Sequence, residues 1–245
     1  MSTAFVGRAP ELQRLVALPS AARQAPGAAA AVVTGPPGSG KTRLLAEASA
    51  RLSGLAPRRL IGYEPTEAVP LAASSDLLRE LNVAGDPDPV RVFEAAHRAR
   101  IRSGPTVLVI DDLQWVDRLS LGLVHYLLRA AEAGHHPLTI IAAARRSPAG
   151  ATFRDGLAAI LPEDRRAVIE LGPLDVQSGV SLVMSLDATL DATRATFIWR
   201  RAEGSPFWLE ALTFGGDGPV GRALVVDRLA AVGGDAATVL GALSV

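Results

Sequence analysis

A glycine-rich turn between an apolar run and a helical pattern constrains this chain more than any other feature. Residues 30–34 are apolar and partly β-branched, which predicts a buried strand. Residues 41–52 carry apolar side chains at helical spacing. The turn between them matches the full phosphate-binding loop pattern. It reads Gly35-Pro36-Pro37-Gly38-Ser39-Gly40-Lys41-Thr42.

Each part of this loop has a physical role that predicts a nucleotide ligand with Mg²⁺. The glycines let successive backbone N–H groups turn toward phosphate oxygens, and the following helix presents its positive end to the same anion. Lys41 is the only lysine of the chain, and we expect its ammonium to reach the β- and γ-phosphates. We expect the hydroxyl of Thr42 to bind the metal. The residues predicted to contact the nucleotide here are Gly35, Pro37, Gly38, Ser39, Gly40, Lys41, Thr42 and Arg43.

Two adjacent carboxylates, Asp111 and Asp112, end the strongly apolar run at residues 106–110. Magnesium bound to phosphate takes hard oxygen ligands, and Asp111 suits that role. Asp112 is the candidate that orients or deprotonates the attacking water. Because aspartate is shorter than glutamate, we expect slow hydrolysis. In an alternative interpretation, Asp112 only caps the turn that follows.

Arg145 follows another apolar run, at residues 138–143. An arginine at the end of a strand can bind the γ-phosphate through charge-assisted hydrogen bonds. The neighbouring Arg146 is a second candidate, and the predicted end of the strand favours Arg145. The candidate catalytic residues are therefore Lys41, Asp112 and Arg145.

Apolar runs alternate with helical patterns through the first 172 residues, which predicts an α/β fold with a parallel five-stranded sheet and flanking helices. Ligands of such sheets bind at the carboxyl ends of the strands, where all the candidate residues lie. The predicted strands are residues 30–34, 60–63, 106–110, 138–143 and 167–171. The predicted helices are residues 41–52, 71–81, 90–102 and 120–133.

The pattern changes after Pro173. Helical spacing recurs there without a strand between the helices, which predicts a small helical lid. The helices expected in this part are residues 175–186, 192–201 and 206–213. We therefore expect a P-loop nucleotide-binding domain at 1–172 and a lid subdomain at 173–216. Residues 217–245 begin a further element.

Composition narrows the possible partners. Lysine plus arginine and aspartate plus glutamate both number 25, so net charge gives no argument for nucleic acid or a membrane surface. The absence of cysteine excludes disulfides and thiolate metal sites. The N-terminus lacks a signal-peptide pattern, and the apolar run at 28–33 is far below the ~20 residues that span a bilayer. We expect a cytoplasmic protein without a membrane partner.

Four motifs, taken together and in this order, resemble the nucleotide-binding module of the STAND class of signal-transduction ATPases. The resemblance is greatest to the large bacterial transcriptional regulators of the LuxR type that are related to the maltose regulator. The motifs are Phe5-Val6-Gly7-Arg8, Gly40-Lys41-Thr42-Arg43-Leu44-Leu45, Asp111-Asp112-Leu113-Gln114-Trp115-Val116-Asp117 and Ala202-Glu203-Gly204-Ser205-Pro206-Phe207-Trp208-Leu209-Glu210.

The resemblance implies roles that spacing alone does not show. It implies that Val6, Gly7 and Arg8 lie against the adenine, and that Gly204 and Pro206 belong to a lid that closes over the nucleotide. It also implies a regulatory switch that is closed with ADP and opens with ATP, with self-association in the ATP state.

The same resemblance implies that residues 217–245 are the start of a winged-helix element, inside which the chain ends. DNA binding would then belong to a domain absent from this chain. Gln114 stands where the family usually has histidine, and we expect this difference to matter little.

Two other functions also fit the phosphate loop. One is an AAA+ motor or loader-type ATPase, which usually has glutamate where this chain has Asp112. The other is a phosphotransferase for a small acceptor, which usually has a basic lid, and the segment after Pro173 is not notably basic. The leading expectation is an ATP/ADP-binding regulatory switch with weak ATPase activity.

Overall fold

The computed structural model describes residues 5–24 and 27–215. The chain clusters into two compact units. We call Pro10–Gly35 with Lys41–Leu171 the sheet unit, and Met1–Ala9 with Pro36–Gly40 and Gly172–Val245 the helical unit. The middle of the phosphate loop thus groups with the helices that follow the sheet. The winged-helix element predicted at 217–245 lies outside the described residues.

The sheet unit is built on five parallel strands in the order β2-β3-β4-β1-β5. Every residue of β3 and β4 is buried, because a parallel sheet is covered on both faces. The predicted α/β fold with a five-stranded parallel sheet is confirmed. The strands are β1 (Ala28–Thr34), β2 (Arg58–Ile61), β3 (Thr106–Asp111), β4 (Leu138–Ala144) and β5 (Arg166–Glu170).

Six α-helices are described in the sheet unit. Four of them, α3 to α6, bury apolar side chains against alternate residues of the strands, such as Ala28, Ala30 and Val32 of β1. The helix α2 contacts β3 and β4. The bounds are α1 (Ala9–Gln24), α2 (Lys41–Arg51), α3 (Ser75–Glu80), α4 (Pro89–Arg102), α5 (Arg118–Ala133) and α6 (Pro148–Ile160).

The sequence did not predict α1 and α6. The buried residues Leu12 and Leu15 of α1 are three apart, as in an amphipathic helix, but Pro19 interrupts the pattern. The start of α6 carries a usable signal, because Ser147 caps the helix through the N–H of Gly150 and a proline follows Ser147. The two glycines inside α6 weaken the helical pattern.

The helix predicted from residue 71 begins instead at Ser75. Leu71 has a φ of +60°, a left-handed conformation that helices exclude. The carboxylate of Asp117 accepts hydrogen bonds from the backbone N–H groups of Leu71 at 2.8 Å and Ala73 at 3.1 Å. It also accepts the N–H of Ser120 at 2.9 Å, which caps α5. The buried carboxylate of Asp117 therefore holds the backbone at Leu71 and Ala73 in a turn, and α3 starts only after it.

The helical unit contains the three predicted helices to within two residues. They enclose a small apolar core against which Val6 also packs. The indole N–H of Trp199 donates to the carbonyl of Leu174 at 2.9 Å, and this hydrogen bond holds Leu174 in the core. The helices are α7 (Val176–Leu186), α8 (Ala192–Arg201) and α9 (Pro206–Gly215). Among all helices in the described part of the chain, none is long and apolar enough to cross a membrane.

The Asp117 carboxylate predicts a measurable contribution to stability. Burial raises its pKa, but hydrogen bonds from Ser120 and from backbone N–H groups outweigh burial and lower the pKa below its usual value. Asparagine offers one neutral acceptor oxygen in place of the two oxygens of an ionised carboxylate. We expect Asp117→Asn to lower the free energy of unfolding at pH 7 by about 2–4 kcal/mol, measured by chemical denaturation.

The pH dependence has a definite sign. A carboxyl whose pKa is lower in the folded state stabilises above its unfolded pKa of about 4, and this contribution disappears as the pH falls below it. The difference between wild type and Asp117→Asn should therefore shrink on acidification. Asp88→Asn is the matched control, because Asp88 caps α4 at an exposed position and asparagine caps about equally well. Equal losses in the two variants would contradict this role of Asp117.

Candidate nucleotide-binding site

Three neighbouring strands bring the predicted site residues of the sheet unit together. The sheet order places β4 between β3 and β1. Asp111 is the last residue of β3, Arg145 directly follows β4, and the phosphate loop follows β1. Parallel strands share one edge for their carboxyl ends, so these groups converge there.

Lys41 is the first residue of α2, and the residue is only 9% exposed. Its Nζ donates to the carbonyl of Gly35 at 2.9 Å. Burial lowers the pKa of Lys41 to about 8, with Asp112 opposing this shift, Arg145 adding to it and Asp111 opposing it. Lys41 therefore lies within electrostatic reach of Asp112, Arg145 and Asp111. Burial disfavours the charged form of this ammonium, and an anionic ligand beside it would offset that cost.

Asp111 is buried beside the hydroxyl of Thr42. Burial raises the pKa of Asp111, and the hydrogen bond with the Thr42 side chain partly offsets this increase. Thr42 itself is exposed at the second position of α2. A carboxylate and a hydroxyl side by side are the hard oxygen ligands that Mg²⁺ requires, so these two residues fit the metal predicted for them.

Asp112 adopts an unusual backbone conformation, with φ +48° and ψ +49°. Its N–H donates to Oδ1 of Asp111 at 3.0 Å. Its own Oδ1 accepts the side-chain amide of Gln114 at 2.8 Å. The side chain makes no capping hydrogen bond to the turn that follows, which removes the support for a purely capping role.

The end of β4 separates the two candidate arginines. β4 ends at Ala144, so Arg145 comes directly after the strand and is half-buried. Arg146 is exposed and pairs with Glu170 at the end of β5. Of the two, the position of Arg145 therefore agrees better with the predicted role at the γ-phosphate.

The middle of the phosphate loop is fixed by contacts inside the helical unit. Gly38 and Gly40 have φ values of +75° and +91°, which favour glycine. The N–H of Phe207 in α9 donates to the carbonyl of Gly38 at 3.3 Å. Ser39 is buried, and its Oγ has no hydrogen-bond partner within the described ranges. A buried hydroxyl with unmet hydrogen-bonding capacity fits a loop that binds phosphate oxygens.

The remaining predicted contacts occupy less enclosed positions. Pro37 is exposed in the loop, and Arg43 is exposed on α2. Pro206 is the first residue of α9, and its Cγ would lie 3.9 Å from a Cβ placed on Gly40.

The N-terminal segment proposed for adenine is held within the helical unit. Gly7 has a φ of +69°, and a Cβ there would lie 2.6 Å from the side chain of Ser178. The guanidinium of Arg8 donates to the carbonyl of Gly172. Gly204 also has a φ of +69°, and a Cβ there would lie 2.6 Å from the carbonyl of Leu174. Both glycines are therefore required by the local backbone, whatever their role at a ligand.

A family model described as AAA domain matches residues 24–147, just over half of the chain. The chain belongs to this AAA domain family. The match includes the phosphate loop, Asp111, Asp112 and Arg145. No curated protein sequence matches the chain significantly.

Solved structures show the same fold as this AAA domain. RuvB of Thermotoga maritima superposes with a TM-score of 0.56 at 18% identity over 94% of this chain and 65% of RuvB. A STAND protein with a tetratricopeptide repeat sensor, from Pyrococcus horikoshii, gives 0.52 at 19% over 87% of this chain and 30% of that one. The Aeropyrum pernix ORC2 protein gives 0.57 at 14% over 93% and 64%. This chain thus spans less than two thirds of each of these proteins.

Sequence reasoning did not assign a role to Gln114 or Asp117, although both lie in a motif that it singled out. Asp117 could have been found from the sequence, because it directly precedes a helical pattern at the position of an N-cap. Gln114 carries no such local signal, since its partners belong to the ends of two different strands.

The loop geometry predicts different costs for two glycine substitutions. Alanine at either Gly38 or Gly40 adopts a strained positive φ, which costs about 1–2 kcal/mol. At Gly38 the new Cβ would also lie 2.6 Å from Cβ of Phe207, whereas at Gly40 its nearest neighbour would be Cγ of Pro206 at 3.9 Å, an ordinary contact. We expect Gly38→Ala to lower the free energy of unfolding by about 1–3 kcal/mol more than Gly40→Ala, measured by chemical denaturation. Equal losses would show that Phe207 does not restrict the loop.

Proposed function

We propose that this AAA domain is an ATP/ADP-binding regulatory switch with slow ATP hydrolysis. The observation that carries the proposal is the placement of one buried ammonium, two carboxylates and one arginine at the ends of three adjacent strands. The two cationic groups suit the phosphates of a nucleoside triphosphate, and the carboxylates suit its Mg²⁺ and the attacking water.

The residues of the loop fit the nucleotide phosphates. Lys41 supplies a positive charge whose burial is unfavourable without an anion, and a phosphate would restore the balance. Ser39 offers a buried hydroxyl. Thr42 and Asp111 would hold Mg²⁺, which when bound neutralises part of the charge on the β- and γ-phosphates.

Asp112 would act on the water that attacks the γ-phosphorus. The water oxygen forms a bond to phosphorus while the bond from phosphorus to the bridging oxygen breaks, and the electron pair stays on ADP. The water proton passes to Asp112 and then to solvent. Arg145 and Lys41 would stabilise the negative charge of the transferred group. The short aspartate side chain supports the expectation of slow turnover.

Adenine is the base that we propose for the ligand. The ORC2 protein of Aeropyrum pernix was solved in complexes with ADPNP and ADP, both adenine nucleotides. The assignment of adenine contacts to Val6, Gly7 and Arg8 rests on the resemblance of the first motif. The lid role of Gly204 and Pro206 likewise rests on the resemblance of the last one.

The regulatory context is part of the same proposal. The motifs that resemble LuxR-type regulators support a module of a bacterial transcriptional regulator, and the similarity to a STAND protein agrees with it. Self-association in the ATP state, a cytoplasmic location and DNA binding through a domain outside this chain follow from that resemblance. We propose no nucleic-acid contact for the described residues.

An AAA+ motor or loader-type ATPase is the second candidate, because RuvB and ORC2 have the same fold. Steady-state turnover and assembly state separate the two. A switch holds one nucleotide per chain and turns over slowly. A stable ring with rapid, nucleotide-dependent turnover in solution would favour the motor and contradict the switch.

Removal of the loop ammonium tests the phosphate-binding assignment. We expect Lys41→Ala to weaken ADP binding in the presence of Mg²⁺ by about 100-fold or more, because the phosphates lose a buried charged partner. Calorimetric titration measures this loss. Arg51→Ala is the matched control, since Arg51 lies exposed at the end of the same helix and pairs with Glu47. Unchanged affinity in Lys41→Ala would show that the loop does not bind the phosphates.

A further inference from the structure

The side chain of Gln114 spans the ends of two strands in the sheet unit. Its Nε2 donates to Oδ1 of Asp112 at 2.8 Å, directly after β3. Its Oε1 accepts the backbone N–H of Arg145 at 3.1 Å, directly after β4. One half-buried amide thus connects the two residues that the proposed hydrolysis assigns to the water and to the γ-phosphate.

The chemistry of the two partners fixes the orientation of this amide. A backbone N–H can only donate, and an ionised carboxylate can only accept. A glutamine side chain offers one acceptor end and one donor end, so only the observed orientation satisfies both partners. A side chain with two acceptors or with neither group would lose at least one of these hydrogen bonds.

Asp112 combines an uncommon backbone conformation with a side-chain hydrogen bond from Gln114. Asp112 is in the left-handed region, which is uncommon for residues other than glycine and is typical of functional sites. Its backbone N–H donates a hydrogen bond to Oδ1 of Asp111. The amide of Gln114 holds one carboxylate oxygen and thereby sets the direction of the other.

We propose that Gln114 is a positioning residue that orients the Asp112 carboxylate toward the attacking water. It also ties that carboxylate to the main chain of Arg145, so that a shift of Arg145 on contact with the γ-phosphate reaches Asp112 through one side chain. The inference rests on the proposed function, in which Asp112 takes the water proton while the bond to the ADP oxygen breaks. Both contacts argue for a larger role of Gln114 than the sequence suggested.

Three substitutions in the full chain test this role through hydrolysis and affinity measured separately. Gln114→Glu keeps the acceptor for Arg145 but places a carboxylate beside Asp112. Gln114→Asn keeps both groups on a side chain too short to reach both partners. Gln114→His keeps one donor and one acceptor when neutral. The readouts are the single-turnover rate of ATP hydrolysis with protein in excess and the Kd for ADP with Mg²⁺.

We expect Gln114→Glu and Gln114→Asn to slow hydrolysis by about 10–100-fold, as a misplaced base would, with Kd for ADP changed less than about threefold. Gln114→His should retain the rate within about fivefold. Should Gln114→Glu fail to fold, Gln114→Asn carries the same test. Loss of affinity or of melting temperature with an unchanged hydrolysis rate would overturn the positioning role in favour of a structural one.

A double-mutant cycle with Asp112 shows whether Gln114 acts through that carboxylate. In the Asp112→Asn background, Gln114→Glu should cause no further slowing, because the base that Gln114 orients is absent. Additive effects would overturn the inference. If Asp112→Asn slows hydrolysis and the Gln114 variants do not, the positioning role is wrong and the proposed function stands.

The same cycle distinguishes failure of the proposed function. If Asp112→Asn hydrolyses ATP at the wild-type rate, the catalytic assignment of Asp112 falls and the inference falls with it. If the wild type binds nucleotide without any hydrolysis, the inference is overturned while nucleotide binding remains. Absence of nucleotide binding in the wild type would contradict the proposed function itself.

Discussion

The burial of the Lys41 ammonium at the start of α2 is the interaction on which the rest of the site depends. Burial lowers its pKa to about 8, although Asp112 and Asp111 lie near enough to oppose the shift. A buried positive charge is costly unless anions lie near it, so this position favours an anionic ligand. Asp111 at the end of β3 and Arg145 directly after β4 lie in the same unit as this ammonium, and both influence its pKa.

Features encoded by neighbouring residues could be predicted from the sequence. The central strands are continuous apolar runs because both their faces are buried, and each run predicted a strand of the sheet. The phosphate loop is a local motif, so roles for Lys41 and Thr42 could be proposed before the fold was known. Asp111 followed from the same reasoning, since it ends an apolar run.

Features that depend on distant residues could not be predicted. The late start of α3 requires the carboxylate of Asp117, which lies 46 residues after Leu71. The bridge made by Gln114 requires β4 to lie beside β3, and periodicity does not give strand order. The contact of Phe207 with Gly38 joins segments far apart in the chain. In each case a polar group has its hydrogen-bond partner far away along the chain, and only the tertiary structure shows which residue that partner is.

The identity of any nucleotide that the purified protein carries is the sharpest test of the regulatory switch. The purified protein is denatured, and any released nucleotide is identified and quantified by chromatography. We expect ADP at about one molecule per chain, because a closed switch requires exchange for activation. An empty protein that binds ATP and turns it over rapidly would contradict the switch and indicate a working ATPase.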